Sequence, residues 1–357
     1  MKIWIKDQNF YKKALGITFP IAAQQLITVG VNMMDTIMIG SVGESSLSAV
    51  SLANQFITVF QILCMGLGMG ASVLVARYYG MKEISSLKKT VAIVLRLGMI
   101  TAFLFCLATI ITPSGIMRIY TDEAEIVSKG AIYLRWSAIT YFLTGLSMIC
   151  AIILRCVEQV KIPLYTSVGA LFINVGANWV FIFGHLGAPR MEEAGTALGT
   201  LIARIFEVAV IVGFMFFKDD HLKMRVRDLT IKTRDLWGEY IRVSLPVLIS
   251  DGIYALGSNS VAMVIGRLGA QMVAANAITM VTQQLSSVLT AGMAQAGAIV
   301  TGHTLGSGDR QKAQEQGEAF FGLGIFFGTL AAIIIMIISS PMIRAYHVSA
   351  ETAAIAS

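Results

Sequence analysis

Asp35, Asp251, Arg204 and Glu207 each lie inside a long apolar stretch of the sequence. An ionisable group held in hydrocarbon costs at least about 2.5–3.5 kcal/mol on insertion scales, so each is a functional candidate by default. A carboxylate at Asp35 can take a proton or a sodium ion and so compete with a cationic ligand. The alternative is a carboxylate merely solvated at a membrane interface, since Gly40 follows five residues later. Asp251 comes five residues after Pro246. It either binds a cation or caps the backbone that the proline loosens. Arg204 and Glu207 are three residues apart, the spacing of an ion pair along a helix. Asn174 and Asn178 are four apart and share one helix face. Their amides either offer oxygens to a hard cation or hydrogen-bond between helices. Gln24, Gln25, Asn54 and Gln55 either line a cavity or bridge helices.

Other chemistries are absent from the pattern. The run GLGMGA at 66–71 has the glycines of a dinucleotide fingerprint but no preceding strand. Small residues for close helix packing account for it better. There is no GxxxxGK[ST] motif, so ATP hydrolysis of that kind is not expected. Cys64, Cys106, Cys150 and Cys156 form no CxxC and no Cys/His cluster, so neither a zinc site nor a disulfide framework is expected. The four histidines, at 185, 221, 303 and 347, fall at segment ends or in loops. A membrane enzyme would gather such groups. No enzyme activity and no cofactor are expected, and the metal question reduces to sodium.

The elements that must position these residues follow from composition. Of 357 residues, 56% are hydrophobic and 13% charged, where a soluble domain carries roughly 25% charged residues. Mean hydropathy is +0.73. About 20 apolar residues span a bilayer as a helix, and backbone amides in lipid must be satisfied within the segment. Nine such stretches occur, near 14–39, 50–76, 90–112, 132–154, 163–184, 194–217, 243–266, 273–301 and 319–340. The fold class is therefore an all-α integral membrane protein. The net charge of +6 does not point to nucleic acid, because the basic residues form no stripe. They alternate between loops. Lys2, Lys6, Lys12 and Lys13 precede the first span, and Arg77, Lys82, Lys88, Lys89, Arg155 and Lys161 occupy the next loops on that side. The opposite loops hold only Arg118, Lys129, Arg135, Arg190, Arg267 and Arg344. This bias places the N-terminus in the cytoplasm and the protein in the plasma, or inner, membrane. Residues before the first span lack the features of a cleavable signal peptide.

The chain also repeats itself. At a constant offset of 226 residues, Pro20 falls on Pro246, Gly40 on Gly266, Gly66 on Gly292 and Gly80 on Gly306. IMRIY at 116–120 falls on MIRAY at 342–346, and Gln25 falls on Asp251. Six spans per unit is an even number, so the two copies are parallel repeats. The expected domains are an N-lobe at 1–217, a cytoplasmic linker at 218–242 and a partial C-lobe at 243–357. The second copy is expected to be incomplete, the whole being twice the offset, about 450 residues.

Several stretches, in this order, resemble the multidrug and toxic compound extrusion family. They are PIAAQQLITVGVNMMDTIMIG, MGASVLVARYYGMKE, INVGANWVFIFG, AGTALGTLIAR and GAIVTGHTLGSGDRQKA. The resemblance covers essentially the whole chain. It implies twelve helices in two six-helix lobes around a central cavity. It also implies export of organic cations or amphipathic drugs in exchange for sodium or protons, by a monomeric protein among membrane lipids. It carries Asp35 over as a cavity carboxylate and joins Asn174, Asn178 and Thr200 to it as a polar cluster able to hold sodium. In RCVEQVKIP, Glu158 stands where the family pattern leads one to expect Gly. Asn178 stands where some members have Asp. Two alternatives accompany this reading. One is a flippase for lipids or lipid-linked oligosaccharides, which calls for a more basic cavity than Arg96 and Arg204 provide. The other is an inactive fragment.

Overall fold

A computed structural model describes residues 8–267 and 270–345. Among the described residues the regular structure is helical. In chain order the helices are α1 (Gln8–Gly40), α2 (Glu44–Gly80), α3 (Ile84–Ile111), α4 (Pro113–Arg118), α5 (Ala124–Ser137), α6 (Thr140–Cys156), α7 (Lys161–Phe183), α8 (Glu193–Gly213), α9 (Trp237–Arg267), α10 (Ala270–Gly306) and α11 (Arg310–Ala345). Six of them are long and apolar enough to cross a membrane. A seventh crossing is α5 with α6, bent by 57° at residues 138–139. The stretch read as one straight span at 132–154 is thus two helices. Pro20 lies inside α1 and Pro246 inside α9. The helix α7 ends at Gly184, whose φ of 78° is left-handed, the conformation in which helices commonly stop.

In lipid, burying an apolar side chain between helices gains little, and close backbone approach matters more. The helix α2 shows this. It packs on α1, α3, α5, α6, α9 and α10, and its glycines set the separations. A Cβ on Gly66 would sit 2.7 Å from Leu248, and one on Gly70 would sit 2.4 Å from Ser244, both on α9. One on Gly68 would sit 2.5 Å from Ile152 of α6. The GLGMGA run is therefore a packing stripe on two sides of one helix. Further along, a Cβ on Gly80 would meet the backbone oxygen of His303 at 2.1 Å, and one on Gly306 would meet that of Arg77 at 2.1 Å.

These contacts recur at the 226-residue offset. Gly66 faces Leu248, and its counterpart Gly292 faces Ala22, the counterpart of Leu248. Gly80 and Gly306 exchange places across the α2–α10 crossing in the same way. The contacts joining α9–α11 to the earlier helices gather at the end of the bundle where α1 begins. Phe10 meets Phe320 edge-on at 5.2 Å. Tyr240 donates to the Leu67 carbonyl at 3.2 Å. Glu239 accepts from Arg77 at 2.9 Å and from Tyr78 at 2.6 Å. One buried core at this end draws on α1, α2, α3 and α6 as well as α10 and α11.

The segment between α8 and α9 is folded onto α3. Arg96 donates to the carbonyls of Leu229 at 2.6 Å and Ile231 at 2.6 Å, and to Thr233 at 3.2 Å. Lys88 pairs with Asp228 at 2.7 Å and Lys89 with Asp235 at 2.5 Å. Arg96, counted from sequence with the intramembrane arginines, is therefore spent on this segment and does not line the cavity.

Backbone against backbone cannot yield as a flexible side chain can, so Gly80→Ala is expected to destabilise the fold by about 1–3 kcal/mol. A Cβ on Gly176 would meet nothing within 4 Å, so Gly176→Ala serves as the neutral control. Thermal unfolding of both variants in detergent, followed by tryptophan fluorescence, checks the difference.

Candidate functional site

A cavity of about 370 Å³ runs along α1 from Gln24 to Ile39. Its walls come from α1, α2, α5, α6, α7 and α8. Asp35 projects into it from α1, Asn174 from α7, and Thr200, Arg204 and Glu207 from α8. The tight α7–α8 packing that aligns two of these walls depends on Gly199. A Cβ there would sit 2.0 Å from the Asn178 amide oxygen.

Asn178 does not line the cavity. It is fully buried just behind the wall and donates its amide to the Asp35 carboxylate at 2.5 Å. The same nitrogen reaches the Asn174 amide oxygen at 3.4 Å. Asp35, Asn178 and Asn174 are thus one hydrogen-bonded row. Thr200 shares the cavity with them. In this orientation Asn178 is a donor and not a cation ligand, and its own buried oxygen has no hydrogen-bond partner. The oxygens facing the cavity are those of Asp35, Asn174 and Thr200, a set suited to a hard cation. Among the described residues no group of three or more His, Cys, Asp or Glu side chains is placed to hold a metal ion.

Arg204 and Glu207 form an ion pair at 2.5 Å. They neutralise one another, so the charge left on the cavity wall is that of Asp35, which forms no ion pair among the described residues. Tyr133 donates to Asn54 at 3.0 Å on the α2–α5 side. Aromatic lining comes from Phe60, Tyr133 and Tyr141. The site is a half-apolar chamber with one uncompensated carboxylate.

Two candidates fall elsewhere. Asp251 is half-buried where α9 crosses α2, its carboxylate 3.6 Å from where a Cβ on Gly66 would sit. Gln25 is half-buried on α1 beside the cavity residue Gln24 but does not line the chamber. The reading of the sequence also passed over Arg155. Counted as a loop charge, it is in fact buried. It donates to Gln295 of α10 at 2.8 Å and to Gln24 of α1, while its Nε has no partner. A positive charge at the very end of an apolar run reads as an interfacial anchor, and nothing in the sequence marks it as buried.

The MatE family model matches residues 20–180 and 246–357. The two matches begin 226 residues apart. The chain belongs to the MatE family; it is a multi-pass membrane transporter and not an enzyme. A probable multidrug resistance protein NorM of Rhizobium meliloti (strain 1021) is 24% identical over 333 residues, which cover 91% of this chain and 69% of that relative. Among solved structures, a variant of the Vibrio cholerae MATE transporter VcmN superposes with a TM-score of 0.87 at 16% identity, covering 98% of this chain and 78% of that one. A MOP superfamily transporter from Pyrococcus furiosus gives 0.84 at 22% identity, with 97% and 76% covered.

Removing one partner of a buried ion pair leaves a charge with no compensation. Arg204→Ala is therefore expected to destabilise the protein by about 3 kcal/mol, whereas the paired change Arg204→Met with Glu207→Leu is expected to recover most of that loss. Comparing the unfolding midpoints of the single and double variants checks it.

Proposed function

We propose that the protein exports small organic cations or amphipathic drugs in exchange for protons or sodium ions, with Asp35 as the group for which coupling ion and substrate compete. The observation that carries this reading is the cavity's charge. Arg204 and Glu207 cancel, Asp35 remains, and aromatic and hydroxyl groups surround it. Such a chamber favours a cation with apolar bulk. The name of the Rhizobium relative, a probable multidrug resistance protein, supports the same substrate class.

Coupling follows from exclusion. A proton or sodium ion on Asp35 removes the charge that holds a cationic drug. An ion shifts a two-state equilibrium only by binding one state better than the other, and a site inside a cavity whose walls move can supply that difference. Asp35, Asn174 and Thr200 are the oxygens we assign to sodium, should sodium be the ion. Asn178 holds the carboxylate in place, and Asp251 and Gln25, outside the chamber lining, are secondary in this scheme.

We place the N-terminus in the cytoplasm, the protein in the inner membrane, and an N-lobe of residues 1–217 joined by the 218–242 segment to a second lobe beginning at 243. The gathering of Lys13, Arg77, Lys88, Lys89 and Arg155 at one end of the bundle supports that orientation. So do the paired α2–α9 and α1–α10 contacts for the two lobes. The flippase alternative loses ground, since Arg96 faces the 218–242 segment and Arg204 is neutralised.

The test is efflux of a fluorescent organic cation from drug-sensitive cells expressing the protein. Losing one partner of a buried charge pair costs roughly 2–5 kcal/mol, so Asp35→Asn is expected to reduce efflux by at least about tenfold. Dependence on an imposed sodium or proton gradient identifies the ion. Absence of efflux of any cation from well-expressed protein sinks drug export and favours the flippase.

A further inference from the structure

The turn that follows α6 carries a residue in an unfavourable backbone conformation. Glu158 has φ +67°, in the left-handed region where glycine sits without strain. The backbone nitrogen of Gln159 reaches back to the Leu154 carbonyl at 2.9 Å, so Glu158 occupies the position after the helix end that glycine usually fills. A strained residue persists where its surroundings hold it, and such strain gathers at switches and clamps.

What holds Glu158 lies on two other helices. Its carboxylate meets Lys13 of α1 at 2.6 Å and Nδ1 of His303 on α10 at 3.3 Å. Nε2 of the same imidazole lies 2.6 Å from the Cys156 carbonyl at the end of α6. Both ring nitrogens therefore face acceptors. A neutral imidazole carries one N–H and can serve only one of them; the doubly protonated ring serves both. His303 is buried at the close crossing of α2 and α10, where Gly80 abuts its backbone oxygen. Arg155, three residues before Glu158, grips the same helix two turns away at Gln295.

We propose that Glu158 and His303 form a protonation-sensitive latch that holds the inner ends of α6 and α10 together and so keeps the cytoplasmic side of the transporter closed. The inference rests on the transport reading above for its orientation and purpose. Opening that side requires α10 to leave α2 and α6, which breaks both contacts of the imidazole. Hydrogen bonding from His303, joined by Lys13, holds the Glu158 carboxyl down to about 2, so it stays ionised throughout the physiological range. The imidazole is the member whose proton count sets how many of these bonds form, one in the neutral ring and both in the doubly protonated ring. The latch is therefore whole with the doubly protonated ring and loses one of the two bonds of that ring when a proton leaves, so it weakens as pH rises.

The other charged and titratable groups at this junction leave that sign unchanged. Lys13 already pairs with Glu158. Tyr79 of α2 stacks on the His303 ring at 4.9 Å and bonds through its hydroxyl to His221 of the 218–242 segment at 2.9 Å. Asp219 of that segment also acts on Tyr79. Arg77 pairs with Glu239 of α9, and α11 meets α10 through Phe320 at Gly297. Arg155 and the Cys156 thiol complete the set from α6.

The test is the distance between spin labels at Met81→Cys and Gln311→Cys, two exposed positions at the inner ends of α2 and α11, measured by double electron–electron resonance in nanodiscs at pH 6 and pH 8. The four native cysteines are buried. With the latch intact, a single short distance is expected at pH 6, and a longer one should grow several-fold at pH 8. With Glu158→Gly, which keeps the turn and removes the carboxylate, the longer distance should be present at both pH values without pH dependence. His303→Gln and Glu158→Gln should behave alike, and they carry the test should the glycine variant fail to fold. Distances in these variants that match the parent at both pH values overturn the latch. Efflux by the parent separates the two readings. Intact efflux with unmoved distances removes the latch alone. Absent efflux with the expected distance changes removes the transport reading and leaves the latch standing.

Discussion

The architecture depends on how closely α2 can approach its neighbours. In a bilayer the lipid tails are as apolar as leucine, so burying apolar surface between helices gives little drive to associate. What remains is dispersion at short range and hydrogen bonding. Gly70 lets the backbone of α9 come close at Ser244, and Gly66 and Gly68 admit the side chains of Leu248 on α9 and Ile152 on α6. With α2 held on several sides, α5, α6, α7 and α8 line one cavity with the second half of α1. The chamber beside Asp35 is the space left between them.

Within that chamber, the expense of intramembrane charge decides what each ionisable group can do. Arg204 and Glu207 relieve one another through a local pair. Asp35 has an amide donor from Asn178 and nothing stronger. A carboxylate in that condition is poised to accept whatever cation the cavity admits. The aromatic and hydroxyl lining sets the shape without adding a second charge. The position of that carboxylate is set by α7, whose Asn178 donates to it and is itself in reach of Asn174.

At the opposite end of the bundle, polar contacts take over from small residues. Arg155, Glu158 and the Cys156 carbonyl lie within four residues of chain, and all reach α10. Arg155 also touches Gln24, a residue of the chamber floor. A single turn of chain thus connects the cavity, the end of α6 and α10. Coupling in a transporter needs an element with two arrangements that both sites can bias, and this turn has contacts in the right places to be one.

The sequence by itself determined the class of structure. Stretches of about 20 apolar residues can only be membrane helices, and residues at each of the nine expected positions are helical, the fourth in two pieces. The local pairs were legible too, because Arg204 with Glu207 and Asn174 with Asn178 depend only on the helical period. Asp35 stood out because charge in an apolar run is costly wherever it occurs. Only the tertiary structure decided which candidates meet. It set Asp35 against Asn178, 143 residues apart on two helices, and it left Asp251 at the α9–α2 crossing and Gln25 outside the chamber lining. It turned Arg96 toward the 218–242 segment, buried Arg155, and brought Glu158 to His303. Those outcomes depend on which faces of distant helices touch. That is fixed by where backbones can approach one another, and no local pattern of residue types contains it.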